Sequence, residues 1–470
     1  MKELRKNMRR LGVLMICLFV GLGVWYAITV YDQGGQWASD VHNTRNSKSL
    51  VRRGSIYDRK NTRLAYTDAN GNRVYLTDEQ ERRALSQTVG DSAGMSGTGV
   101  ETKFSSTLLD TSTSLLDRLA EVFGGGGHVG SSIWLTVSKE LTAYASKEFP
   151  ANYRGAVVVL NYKTGEILCM VSRPDYDPNV LLNRANSTQV EDSAYLNRCL
   201  QGLYTPGSVF KIVTLTGALT ADPTVTGHNY TCTARWDFGS GTMVCGSGTT
   251  AHGTLDLKSA FARSCNVTFG KLTYAMGRDL MINVAQSLCF NDNFKFHDIT
   301  LYNSSFPTDM KTDNALVWSG IGQGTVQVTP MHMCMISAAV ANGGVMQEPI
   351  LVRRIESSTG GVTYTGVSRA YRTVMKKDVA DTVASYMYNA VANGTARNAA
   401  IKGYSVCGKT GTAQVTDDNS RNDSSWFTGF VYDDAHPYAI AVVIEEGGAG
   451  SNLASRLASK VLAQAIKVIG

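Results

Sequence analysis

Charge is scarce in this sequence, and most of its imbalance sits at one end. Only 18% of the 470 residues are charged, and the formal net charge is +6. The first ten residues supply five positives (Lys2, Arg5, Lys6, Arg9, Arg10) against Glu3 alone, +4 in sum, which leaves +2 for the rest. A chain with no basic patch or stripe is not built for nucleic acid. No clean A-x-A cleavage site follows the first apolar run, which argues against a removable secretory leader. The cysteines number nine, an odd count that cannot pair completely within one chain.

What is present begins with Leu11 to Val30, twenty residues without a charge. That is the length of a helix that crosses a bilayer. The basic tip in front of it stays on the cytoplasmic side by the positive-inside rule. Residues 1–10 therefore read as a cytoplasmic tip and 11–30 as an uncleaved membrane anchor. The remaining chain, 31–470, is placed outside the cell membrane.

With 43% apolar residues, the exported part is long enough for two domains. Residues 31–152 read as a poorly compact first region. Ser86 to Ser132 is rich in Ser, Thr and Gly, and Gly124-Gly125-Gly126-Gly127 marks a flexible break. One helical pattern, Leu108 to Phe123, interrupts it. Residues 153–470 open with a hairpin, Ala156–Leu160 and Glu166–Val171 around an Asn161-to-Gly165 turn. Helical stretches dominate from Ser208 to about Val340. Strands return at Phe427–Tyr432 and Tyr438–Glu445, and a helix over Leu453–Val468 closes the chain. Strands from both ends around a helical middle predict an α+β fold, an antiparallel sheet flanked by helices.

The stretch that carries chemistry is Thr205-Pro206-Gly207-Ser208-Val209-Phe210-Lys211. A helix starting near Gly207 sets Ser208 and Lys211 side by side on one face. Serine becomes a nucleophile when a neighbouring base takes its proton, and burial among apolar residues makes lysine such a base by favouring the neutral amine. Alone, S-x-x-K describes many solvated helix starts. Two more motifs follow in order: Ser264-Cys265-Asn266, then Lys409-Thr410-Gly411-Thr412 after Gly408. A rival uses the same residues. Gly403 to Thr410 fits G-x-x-x-x-G-K-[ST], the phosphate loop of nucleotide hydrolases. Only 60 residues follow Thr410, too few for a doubly wound nucleotide domain. The run Gly411-Thr412-Ala413-Gln414-Val415 is strand-like where that loop needs a helix N-terminus, and the anchor places it away from ATP.

S-x-x-K, S-x-N and K-T-G in this order are the signature of penicillin-binding proteins and class A β-lactamases. The chain resembles the class B penicillin-binding proteins, membrane-anchored peptidoglycan transpeptidases. The likeness extends to Arg53-Gly54-Ser55-Ile56-Tyr57-Asp58-Arg59, to Arg173-Pro174-Asp175-Tyr176-Asp177-Pro178-Asn179, and to Gly320–Gly324 through Thr329-Pro330. The resemblance implies the transpeptidase fold for 153–470 and an N-terminal pedestal for 31–152, with Arg53, Asp58 and Arg59 as structural residues where the two meet. It implies acyl transfer from D-Ala–D-Ala stem peptides through Ser208, with Lys211 as base and Ser264 relaying a proton to the leaving amine. Asn266 is expected to hold the acyl donor's backbone and Lys409 to supply positive charge. The hydroxyls of Thr410 and Thr412 are expected on the substrate carboxylate, with Gly408 and Gly411 leaving room for it. The backbone N–H groups of Ser208 and Thr412 are the expected oxyanion donors. β-Lactams are the implied covalent inhibitors and a SEDS-type glycosyltransferase the implied partner, since no region resembles a glycan polymerase. No E-x-x-x-N follows Asn266, so a deacylating β-lactamase is not expected. A D,D-carboxypeptidase or a penicillin sensor is the alternative within the fold. The chemistry itself requires no cofactor.

Four further residues form a candidate zinc set: Cys232, Asp237, Cys245 and His252, two thiolates, a carboxylate and an imidazole. Their spacing is not that of a standard finger. A Cys232–Cys245 disulfide closing a twelve-residue loop, worth about 3 kcal/mol in the chain-entropy model, and unlinked thiols are the alternatives. Cys169, Cys289 and Cys334 lie in apolar runs, as buried free thiols do.

Overall fold

The computed structural model describes residues 2–39, 52–110, 129–182, 188–239, 241–246, 248–413, 423–449 and 453–469. Its centre is a five-stranded sheet in the order Val406–Ala413, Ser424–Val431, Tyr438–Ile444, Gly155–Asn161, Ile167–Arg173, every neighbour antiparallel. The predicted hairpin is there. Asn161 turns the chain by accepting the N–H groups of Lys163 and Thr164 on Oδ1, and Gly165 follows at φ +83°, a conformation open to glycine without strain.

Every residue of Ser424–Val431 and Tyr438–Ile444 is buried. Side chains alternate across a strand, so both faces of the sheet are covered. Pro330–Ala341, started by Thr329 accepting the His332 N–H, packs on the three central strands. Lys139–Glu148 and Leu453–Val468 pack on each other and on the same sheet. The closing helix falls where the sequence placed it. The α+β architecture is as expected.

The stretch between Ser208 and Val340 is less helical than its pattern. Two small antiparallel pairs, Asn229–Cys232 with Gly253–Asp256 and Arg235–Phe238 with Gly241–Val244, are set into it. Each strand has four residues and a mostly polar, half-exposed composition, too short to show a period of two.

A second sheet of six strands lies nearer the N-terminus, in the order Val362–Thr365, Val352–Glu356, Ser132–Leu135, Ile56–Tyr57, Arg63–Thr67, Arg73–Tyr75. Hydrogen bonds thus join Val352–Glu356 to Ser132–Leu135, far apart in the chain. Arg59 reaches the hairpin by an ion pair to Glu166 (3.7 Å). Asp58 is buried, accepting the N–H groups of Lys60, Thr62 and Lys139.

Residues 86–110 differ from the loose segment their composition suggested. Short helices at Ser86–Val89, Val100–Lys103 and Ser105–Leu108 bury Val89, Val100, Phe104 and Leu108. Glu101, fully buried, is clamped by Arg53 at 3.0 Å and Arg73 at 2.6 Å, and a buried carboxylate is tolerated only when paired in this way. Composition missed this because the ordering contacts come from Arg53 and Arg73, outside the segment. Most of the predicted Leu108–Phe123 helix, and Gly124 to Gly127, lie outside the described residues.

The first helix is Lys2–Ser39. By length and composition its Lys6–Tyr26 portion can cross a membrane, and it is the one such helix among the described residues.

Candidate active site

The chain enters the site through a tight 3-10 turn, Gly207–Phe210, and continues as the helix Lys211–Ala221. Gly207 has φ +56°, and a Cβ there would collide with the Thr412 carbonyl. Glycine is required by conformation and by space at once. The turn is tied down on three sides. Gly207 N–H donates to Gly322 O at 2.8 Å, which explains the Gly320–Gly324 landmark. Trp426 Nε1 donates to Thr205 O at 3.1 Å. Tyr204 pairs with Val328 through both backbone groups.

Lys211 is fully buried, and burial pushes its ammonium down to about 8. Its Nζ lies 3.1 Å from Ser208 Oγ, 2.8 Å from Ser264 O, 3.1 Å from Ser264 Oγ and 2.7 Å from Asn266 Oδ1. Counting hydrogens orients the base. A neutral amine has two N–H groups and one lone pair. The Ser264 carbonyl and Asn266 Oδ1 can only accept, so they take both N–H groups, and the lone pair is left for the serine hydroxyls. The Asn266 amide is fixed in that sense because its Nδ2 donates to Val244 O at 3.0 Å.

Val406–Ala413 is the edge strand of the main sheet, and the Ser208 turn packs against it. Lys409, also fully buried, reaches Ser264 Oγ at 2.9 Å and Thr410 O at 2.9 Å. Burial first, and the Lys211 charge second, hold its ammonium well below the ordinary lysine range. Ser264 therefore bridges the two lysines, at φ +56°, a left-handed conformation uncommon for serine. Such strain persists where surrounding contacts over-determine it. Thr410 is nearly buried, its hydroxyl 2.8 Å from that of Thr395. A Cβ on Gly411 would press within 2.8 Å of Pro206 O.

The predicted metal set is partly assembled. Cys232, Cys245 and His252 converge, and the fourth group beside them is Cys265, all four ligand atoms lying within 4.8 Å of one another. Asp237 is not among them, and that part of the expectation is corrected. It alternates outward on the Arg235–Phe238 strand, 66% exposed, bound to Arg235 and Thr242. Cys232 Sγ stands 3.6 Å from Cys245 Sγ and 3.5 Å from His252 Nδ1, and Cys245 Sγ stands 3.7 Å from Cys265 Sγ. Bonded sulfurs would be about 2.05 Å apart, so the first pair is placed as two thiols. A tetrahedral zinc with bonds of about 2.3 Å to sulfur and 2.0–2.1 Å to nitrogen sets edges of about 3.8 and 3.6 Å. The donor set fits that ion. Cys265 also caps the helix Asn266–Ser287. The Cys245 thiol first, then the Thr268 hydroxyl and N–H, hold the Cys265 thiol below its ordinary range. The signal for Cys265 was in the sequence, hidden as the middle residue of S-x-N.

This geometry is that of an acylating serine enzyme, and the comparisons agree. Residues 155–466 match the model of the penicillin-binding protein transpeptidase domain. The chain belongs to that family, as its motifs led us to expect. Among its relatives is the peptidoglycan D,D-transpeptidase PbpA of Mycolicibacterium smegmatis, 30% identical over 86% of this chain and 87% of that one. The peptidoglycan D,D-transpeptidase MrdA of Haemophilus influenzae is 29% identical over 71% of this chain and 56% of its own. Penicillin-binding protein A of M. tuberculosis, solved as a ceftriaxone acyl-enzyme complex, superposes with a TM-score of 0.80 at 27% identity, covering 88% of this chain and 98% of that one.

Proposed function

We propose that the chain is a peptidoglycan D,D-transpeptidase that works through an acyl-enzyme on Ser208. The observation that carries this reading is the Lys211 amine, buried, 3.1 Å from Ser208 Oγ and oriented by two obligate acceptors. Lys211 takes the Ser208 proton as Oγ attacks the carbonyl of the penultimate D-Ala. The oxyanion is assigned to the backbone N–H groups of Ser208 and Thr412, each such donor being worth about 3 kcal/mol elsewhere. Ser264, between Lys211 and Lys409, passes a proton to the departing D-Ala nitrogen. An amine from a neighbouring stem peptide then attacks the ester carbon and restores the Ser208 hydroxyl, leaving a cross-link. Asn266 orients Lys211 and offers its remaining Nδ2 hydrogen to the acyl donor's backbone. Lys409, Thr410 and Thr412 receive the terminal carboxylate. The expectation that Gly408 and Gly411 leave room for substrate is corrected: a Cβ on Gly408 would meet the Phe427 ring and one on Gly411 the Pro206 carbonyl, so these glycines admit the neighbouring strand and the nucleophile turn. A β-lactam follows the same first step, but its leaving nitrogen stays tethered and the ester persists.

The proposed organisation keeps residues 31–152 as a pedestal, joined by the strands at 352–365, and 153–470 as the transpeptidase domain. The basic tip and apolar helix support a cytoplasmic N-terminus with the catalytic part outside, beside a SEDS-type glycosyltransferase. A structural zinc held by Cys232, Cys245, Cys265 and His252 would brace the segment carrying Ser264 and Asn266, and supplies no chemistry to the reaction.

Labelled penicillin decides the central assignment. Intact-mass analysis is expected to show one label on the wild-type chain and none on Ser208→Ala or Lys211→Arg, since arginine does not give up its proton. Label persisting on Ser208→Ala overturns the nucleophile. A donor stem peptide supplied with an amine acceptor separates transpeptidase from carboxypeptidase by its product, and a penicillin sensor gives neither product.

A further inference from the structure

The three motifs leave one contact at the site unexplained. The turn Gly394-Thr395-Ala396 ends the helix Lys377–Asn393, which packs on both the Val406–Ala413 strand and the Leu257–Ala262 helix. Thr395 N–H donates to Ala262 O at 3.0 Å, two residues before Ser264. A Cβ on Gly394 would collide with that same carbonyl, so only glycine lets the turn come so close. Thr395 Oγ1 then lies 2.8 Å from Thr410 Oγ1. One short turn, outside every motif, thus touches the segments that carry Ser264 and Lys409.

The Thr410 hydroxyl has one hydrogen and two lone pairs. If it donates to a substrate carboxylate, its oxygen is the acceptor in the pair with Thr395, and Thr395 is the donor. A half-buried and a nearly buried hydroxyl facing each other in this way fix one another's rotors. We infer that Thr395 is a positioning residue for the acyl donor's terminal carboxylate, holding the Thr410 hydroxyl so that its hydrogen points at that anion. The inference rests on the proposed role of Thr410. Thr395 itself touches no reacting atom.

The test uses the full chain in detergent, with benzylpenicillin and its methyl ester as probes and the second-order acylation rate read by intact mass. The ester keeps the reacting ring and lacks the anion. Losing one hydrogen bond of ordinary worth corresponds to about tenfold in rate. In Thr395→Val the acid-to-ester rate ratio is expected to fall about tenfold, and in Thr395→Ser to return to the wild-type ratio. Equal slowing of acid and ester in Thr395→Val, or no slowing, overturns the inference. Thr410→Val separates the two ideas. A ratio that collapses there and not in Thr395→Val rejects Thr395 alone. A ratio unchanged in both rejects the carboxylate role of Thr410, and the inference with it.

Discussion

Tyr204 Oη lies 2.7 Å from Glu445 Oε1, the same oxygen that Arg198 Nε reaches at 2.9 Å. Tyr204 stands four residues before the nucleophile, and Glu445 follows the Tyr438–Ile444 strand. Trp426 pairs with Val443 across the sheet, so Glu445 falls on the same sheet face as the indole that holds Thr205. The nucleophile turn is therefore hung from two adjoining strands, by Trp426 directly and by Glu445 through Tyr204.

Tyr204→Phe deletes one hydroxyl and keeps the ring edge-on to Trp426, whose centroid is 6.0 Å away. A hydrogen bond to a charged group is worth about 1.5–3 kcal/mol. The variant is expected to melt a few degrees lower and to acylate more slowly. Glu445→Gln also removes the charge that pairs with buried Arg198 and is expected to cost more, and the double variant to fall short of the sum because the two residues share one contact. Strict additivity in a double-mutant cycle would show that the two residues work apart.

The acylation rate follows the neutral fraction of Lys211. Burial sets its pKa near 8 against an ordinary 10.5. Only the free amine accepts the Ser208 proton, so the rate is expected to rise through pH 7 to 8 and level off above. Below the pKa it falls about tenfold per pH unit. Stopped-flow acylation across pH 6 to 9.5 reads this directly. A rate flat across that range would mean that Lys211 is not the base.

Gly207→Ala attacks the turn without touching a catalytic side chain. The left-handed conformation costs an L-residue about 1–2 kcal/mol, and the new methyl meets the Thr412 carbonyl. We expect a loss above about 2 kcal/mol in stability and at least tenfold in acylation. Thermal melting and penicillin labelling check both. A variant that melts and acylates as the wild type would remove the steric account of this glycine.

The sequence was most informative where chemistry and local geometry coincide. S-x-x-K needs one turn of helix, and the structure provides it as a 3-10 turn running into a helix. The Leu453–Val468 helix and the 155–173 hairpin were legible from period and turn residues alone. Contacts between distant residues were not. Glu101 closes on Arg53 and Arg73, Tyr204 meets Glu445 across 241 positions, and Thr395 reaches Thr410, each by a side chain whose neighbours in sequence say nothing of its partner. Asp237 was misassigned for a related reason. It shares the loop between Cys232 and Cys245, but the strand Arg235–Phe238 turns it outward, and helix capping turns Cys265 inward.

The Cys265 exchange leads to the prediction with most at stake. Cys265 lies between Ser264 and Asn266, the two residues that hold Lys211, and its sulfur belongs to the Cys232, Cys245, His252 cluster. Asn266 Nδ2 also holds Val244, next to Cys245. Any ion in the cluster is thus one residue from the groups that orient the base. Protein purified without added metal is expected to contain about one zinc per chain, the stoichiometry of a closed four-ligand site. Binding energy at such a site is folding energy, so chelation is expected to lower the melting temperature and slow penicillin acylation together. Cys265→Ser and His252→Ala are expected to lose the zinc and reproduce both effects, and Asp237→Asn to keep metal, melting temperature and rate. Substoichiometric zinc, with Cys232 and Cys245 recovered as a disulfide, would end the metal reading and leave a cross-linked loop as the brace. Zinc retained in Cys265→Ser would instead place the ion on another set of ligands.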